Sequence, residues 1–140
     1  MIPVPTRILL IVSGLLVVTA LVCLRRSPNW AYSGQTSFNK AAWLEASASD
    51  RDSVRFKMVD DLGRRFLLKG TEQSAVLREL GRPESIKPPQ YFGSGALPPN
   101  VEEVWNYPIG SWSGWRMDMD YLAIGFSSQG RVVRYWIWQS

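Results

Sequence analysis

The stretch "RMDMD", Arg116 to Asp120, sets two carboxylates one residue apart, and in a strand Asp118 and Asp120 would project from one face. Carboxylates paired in this way hold a divalent cation or share the roles of general acid and base. Arg116 has the same parity, and no third oxygen-rich cluster or glycine turn accompanies the pair. Both aspartates are therefore expected to be solvated residues guarding a sheet edge. Glu102 and Glu103 are adjacent, so a strand would send them to opposite faces. The chain has no histidine, and its one cysteine, Cys23, lies in an apolar segment. Imidazole-based triads, Cys/His zinc sites and disulfide frameworks are thereby excluded. Carboxylate or Ser–Lys chemistry stays formally open. The residues favour recognition over catalysis, with no cofactor and no metal site.

Aromatic side chains carry the better signal. Trp112 and Trp115 lie in the loop "GSWSGW", and Tyr135, Trp136 and Trp138 in the strand-like run "RVVRYWIW". Strict alternation puts Val133, Tyr135 and Ile137 on one face and Val132, Arg134, Trp136 and Trp138 on the other. Only one face can meet the helices, so an aromatic face is left over. Exposed, it would be an apolar patch of the kind that binds a partner, with Tyr and Trp as anchors. The alternative is that Trp43, or the Pro-rich loop through Tyr91 and Phe92, folds across it. A pocket on the order of a few hundred Å³ lined by Trp112, Trp115 and Tyr91 would instead favour a small ligand, lipid or peptidoglycan fragment.

The elements that must position these residues follow from periodicity. Val54, Met58, Leu62 and Phe66 recur every four residues, which predicts a helix from about Ser53. It either ends at Gly63 or is carried by packing to about Phe66. Asp60–Arg64 and Asp61–Arg65 then become i,i+4 pairs. A second helix is expected after Gly70, with Thr71 as its cap, Val76, Leu77 and Leu80 as its apolar stripe, Gly81 as a left-handed stop and Pro83 beyond. The proline-rich stretch from Glu84 to Asn100 is expected to be loop. Strands follow at Val101–Ile109, Met117–Phe126 and Arg131–Trp138, the last two joined by a tight hairpin at Ser127–Gly130. The fold class is α+β: two helices packed on a three-stranded antiparallel sheet.

Ahead of this domain, Ile8 to Leu24 is a run of 17 uncharged residues, at the lower limit for a transmembrane helix. Arg7 precedes it, Arg25 and Arg26 follow, and Trp30 is placed to sit at headgroup level. The favoured organisation is a membrane anchor at 1–26, a linker at 27–50 and the folded domain at 51–140. Within that linker a helical turn at Lys40–Ala46 is expected to dock Trp43 on the domain. A signal peptide cleaved after Val18-Thr19-Ala20 and a lipidated Cys23 are the alternatives. Three of the 16 basic residues flank the apolar run, leaving 13 against 12 acidic residues beyond it. No basic stripe remains for a phosphate backbone, so nucleic acid is not expected as a partner. The expected partners are the lipid bilayer, through residues 8–24, and a protein that the residues do not identify. Lys/Arg counts around the apolar run lean towards a cytoplasmic domain.

The string Gly70, Val76, Leu80, Gly81 and Pro83 resembles the second-helix signature of the SmpA/OmlA/BamE-like superfamily. In that family a strand with aromatic residues follows, matched by Trp105 and Tyr107. A final motif is matched by Leu122, Ile124, Phe126, Gly130 and Val132. The resemblance covers roughly Ser53 to Ile137. Glu72 stands where Ser or Thr is frequent, and Val22 and Leu21 precede Cys23 where a lipoprotein signal has small residues. The resemblance implies an α-α-β-β-β fold shared with β-lactamase-inhibitor-like modules. It also implies a bacterial, extracytoplasmic, non-catalytic module that assists assembly or stability of an envelope complex.

Overall fold

The computed structural model describes residues 35–46, 53–93, 96–112 and 117–140. The apolar run 8–24, its flanks Arg7, Arg25 and Arg26, and Trp30 lie outside the described residues. Among the described residues no helix is long and apolar enough to cross a membrane.

The architecture is α+β, with three helices and a four-stranded antiparallel sheet. In chain order the elements are α1 (Lys40–Glu45), α2 (Arg55–Arg65), α3 (Gln73–Leu80), β1 (Ser85–Lys87), a 3₁₀ turn (Pro89–Phe92), β2 (Glu103–Gly110), β3 (Asp120–Phe126) and β4 (Val132–Gln139). The strands lie in sequence order, each antiparallel to the next. Two elements add to the domain's expected two helices and three strands, one of them the helical turn expected at Lys40–Ala46. The segment expected as loop supplies β1, which runs for three residues beside Asn106, Trp105 and Val104. So short a run shows no period of its own. Pro88, which has no N–H to donate, ends it at the sheet margin.

The other addition, α1, is capped by Asn39, whose side chain accepts the Ala42 N–H at 3.0 Å. It docks as expected through Trp43, which is completely buried. The Trp43 indole N–H donates to Leu80 O at 3.2 Å, and its ring meets Phe38 and the edge of Tyr107. Arg55, the first residue of α2, lies over the Trp43 ring and donates to Trp43 O and to Pro108 O. One guanidinium thus ties α1, α2 and β2 together. Phe38 N–H donates to Asp61 at 2.7 Å, and Thr36 N–H donates to Lys57 O at 3.0 Å.

α2 runs through Gly63 rather than stopping there, and the reason is tertiary. A Cβ on Gly63 would collide with the Tyr135 phenol of β4. The glycine leaves room for that phenol against the helix. The buried stripe is Phe56, Met58, Val59, Leu62 and Gly63. Val54, expected to head it, is exposed because it stands at the N-cap, before the helical turn that would carry it inward. Asp60–Arg64 and Asp61–Arg65 form at 2.8 and 3.1 Å. In α3 the buried residues are Val76 and Leu80, while Leu77 is exposed. Glu72, not Thr71, occupies the cap position. The Thr71 backbone is instead engaged with β4: its carbonyl accepts the Val132 N–H. Gly81 takes a positive φ, 75°, as expected, but with an extended ψ of −166° in place of the helical αL value.

The hairpin at Ser127–Gly130 closes through Gly130 N–H to Ser127 O at 2.8 Å, and the register shifts between Gly125 and Phe126. That irregularity breaks the alternation expected for β4. Val132 pairs with Phe126 and is buried on the helix side, and Val133 packs with Val101, Val104 and Ala123 on the opposite side. The two valines exchange faces relative to the strict pattern, as an inserted residue requires. Beyond the bulge, Tyr135 lies on the helix side, and Trp136 and Trp138 lie on the outer side.

Two consequences can be measured. Gly63→Ala raises intrinsic helix propensity, yet it should destabilise the domain by about 1–3 kcal/mol through overpacking. The loss should shrink in a Tyr135→Leu background, read by urea unfolding. Asp61 is held below its ordinary value of 3.8, chiefly by the Phe38 N–H and further by Arg65. A depressed carboxylate contributes stability that is present above its unfolded value and lost as pH falls through the folded one. Amide protection at Phe38 should therefore fall at pH below about 4, and Asp61→Asn should flatten that dependence.

Candidate functional site

The outer face of the sheet carries a row of aromatic side chains. Trp136 lies opposite Ala123 and Trp138 opposite Tyr121 in the β3–β4 register. Tyr121 stacks on Trp138, with centroids 5.3 Å apart and an interplanar angle of 21°. Phe92, from the 3₁₀ turn, meets Trp136 at 5.4 Å and Trp138 at 5.2 Å, both edge-on. Tyr91 meets Trp138 at 5.9 Å. The quadrupoles of such rings favour these tilted contacts. The Pro-rich loop therefore does fold across the aromatic face, through the two residues expected to do so. Small residues beneath permit it: a Cβ on Gly125 would press on Val101 and Trp136 at 3.1–3.4 Å.

Coverage is partial. Trp136 and Trp138 remain half-buried, Tyr91 is exposed, and a groove of about 460 Å³ lies among Tyr91, Phe92, Leu97, Arg134, Trp136 and Trp138. Ala96 completes its lining. Its one charged residue is Arg134, whose guanidinium lies 5.4 Å from the Trp136 ring centroid. Among the described residues no carboxylate pairs with Arg134. At the Pro88 end, the Lys87 ammonium sits 4.9 Å from the Tyr91 ring. The site is thus aromatic, lightly cationic and open on one side.

The floor is polar at one point. Asn106 is completely buried and accepts the Trp138 indole N–H at 2.9 Å, while its amide N–H donates to Ser85 Oγ at 3.4 Å. This pair fixes the indole plane and joins β1, β2 and β4. Nearby, Tyr121 donates to Glu84 at 3.1 Å, and its pKa is raised by partial burial and then by Glu84. The phenol therefore stays a donor across the physiological range.

The candidate residues do not share one surface. Trp136 and Trp138 belong to the outer face. Tyr135 is turned the other way, against Gly63. Trp112 is distant in role: it stacks on Phe56 of α2 at 5.1 Å and 18°, with Lys57 over its ring. Of the pocket expected from Trp112, Trp115 and Tyr91, Trp115 lies outside the described residues, and Tyr91 lines a groove with Trp136 and Trp138. Leu97 and Asn106 were not singled out by sequence reasoning. Leu97 stands in a proline-rich loop and Asn106 in an otherwise apolar strand, and only folding brings them under the indoles.

The carboxylate pair also separates. Asp118 is exposed, but Asp120 is buried and accepts the Trp112 backbone N–H at 2.6 Å, a short charge-assisted bond. Asp120 is structural, closing the β2–β3 connection, and not the solvated residue that alternation implies. Ser37 and Lys40 have Ser-x-x-Lys spacing, but Ser37 precedes the α1 cap and both side chains are exposed. Among the described residues no group of three or more Cys, Asp or Glu is placed to hold a metal ion.

No protein-family model, curated protein or solved structure matches this chain.

Trp138→Phe should keep most of the apolar contact and leave Asn106 Oδ1 without its donor. A loss of about 1–3 kcal/mol is expected. Trp138→Phe with Asn106→Leu should recover part of it, measured as a double-mutant cycle in urea.

Proposed function

We propose that this chain is a membrane-tethered, non-catalytic interaction module of the BamE-like type, whose contact surface is the outer face of the sheet. The observation that carries this reading is the half-buried row of Tyr91, Phe92, Trp136 and Trp138 around an open groove with Arg134 at its side. Aromatic and arginine side chains are the usual anchors of protein interfaces. The α+β order, with helices on one sheet face only, supports the likeness to that superfamily. The absence of histidine and the structural employment of Asp120 support a role without catalysis.

The tether is residues 8–24, with Arg7, Arg25, Arg26 and Trp30 at the interfaces. The domain lies on the extracytoplasmic side, where it assists assembly or stability of an envelope complex. A second reading is a binding site for a small apolar ligand. It is supported by the groove volume, which falls within the range of about 300–1,000 Å³ common for ligand pockets.

Two measurements test the first reading. A topology reporter fused after Ser140 should be active outside the cytoplasm; cytoplasmic activity would sink the envelope role. Trp136→Ala with Trp138→Ala, in a chain shown to fold by circular dichroism, should lose at least about tenfold in capture of the native partner, the scale of a single interface anchor. Unchanged capture would remove the sheet face as the contact surface.

A further inference from the structure

β4 is one of the two outer strands of the sheet, and among the described residues its free edge is paired only at its start. At its start the chain itself begins a neighbouring strand. Gly70 N–H donates to Val132 O and Val132 N–H donates to Thr71 O, both at 2.8 Å, and Glu72 bridges to Arg131. After Glu72 the chain leaves the edge to form α3. From Arg134 to Gln139 no backbone group of another described segment bonds to that side. Every second residue of an edge strand directs both its N–H and its C=O outward. At about 3.3 Å per residue the open edge spans roughly 20 Å, the length of an ordinary strand.

Soluble proteins usually block such an edge with lysines, prolines, bulges or a covering segment. β4 reads "VVRYWIWQ": it has one charge and no proline, and its bulge lies at the very start. Along the open part, Tyr135, Trp136, Ile137 and Trp138 are all half-buried, so their rings and methyls flank the edge on both faces. Arg134 is exposed beside them, held over Trp136 and not matched by a carboxylate among the described residues.

From this geometry we infer that β4 recruits its partner by strand addition. An extended segment of another protein pairs along Arg134–Gln139, taking up the edge where Gly70 stops. It places an acidic side chain beside Arg134 and apolar side chains against Trp136 and Trp138. Main-chain bonds supply the attachment and the alternate side chains supply the choice of partner. The inference rests on the interaction-module reading above and names the mode and chemistry of that contact.

The test uses the full chain in detergent micelles, panned against a displayed library of short random peptides. Enriched peptides should carry Asp or Glu among alternating apolar residues. Hydrogen exchange should show new protection at β4 amides beyond Val133. Arg134→Glu should weaken such a peptide about tenfold and shift preference to its Lys-bearing counterpart, since attraction becomes repulsion at one site. A reversal of preference cannot come from unfolding. Peptides that protect another surface, or that ignore the reversal, overturn strand addition at β4 and leave the module reading standing. Failure to enrich any peptide with an intact fold also overturns it, and the partner capture described above then decides the module reading separately. A dimer joined through β4, seen by sedimentation, overturns the assignment to a different protein.

Discussion

The C-terminal end of α3 is buried, and the rest of the domain is arranged around that constraint. The last carbonyls of a helix have no partners within it, and burying them bare costs free energy. Here three carbonyls at that end find donors. Leu77 O accepts the Gly81 N–H, Leu80 O accepts the Trp43 indole N–H, and Gly81 O accepts the Tyr107 hydroxyl at 3.0 Å. Burial raises the Tyr107 pKa, so the phenol keeps the proton that it donates. The donors come from α1 and β2, far apart in the chain. Segment 35–46 is thus part of the core, because removing Trp43 would leave both a large void and an orphaned carbonyl.

A second constraint is the sheet's coverage on both faces. Val104 to Gly110 are all buried, a pattern that antiparallel strands show only when each face is packed. The helices cover Tyr107, Leu122, Ile124 and Phe126; the Pro-rich loop, through Phe92 and Leu97, covers Val104 and Ala123. The loop is a thinner cover than the helices. Phe92 closes over the two indoles edge-on, and the groove beside it is what remains open. Helices close one face, and partial coverage by the loop leaves an open aromatic groove on the other.

The bulge at the start of β4 connects these two constraints. It turns Val132 inward beside Phe126 and Val133 outward beside Val101, so both layers gain a β-branched side chain from successive residues. It also lies next to the point where Gly70 and Thr71 leave the sheet edge. The strand beyond keeps its alternation: Tyr135 is committed to Gly63, and Trp136 and Trp138 are committed to the outer face. Charge plays a local part. Arg55 satisfies carbonyls in the interior, whereas Arg134 lines the aromatic groove.

Periodicity and punctuation in the sequence determined the α+β class, α2, α3, the positive-φ stop at Gly81, the last hairpin and the docking of Trp43. These depend on neighbours within a few residues, or on a large indole that has no other place to go. The sequence also excluded imidazole chemistry and internal disulfides outright, because a chain with no histidine and one cysteine has neither. Tertiary structure decided what depends on distant partners. The pass of α2 through Gly63 is set by a tyrosine on the last strand. The burial of Asp120 is set by a backbone amide eight residues earlier. β1 exists only because β2 offers it a ladder. The division of the aromatics, with Trp112 on α2, Tyr135 facing the helices and Trp136 with Trp138 outward, follows from register and one inserted residue. A strand's period assigns two faces but cannot say which of them a helix will cover, and that is decided only when the layers meet.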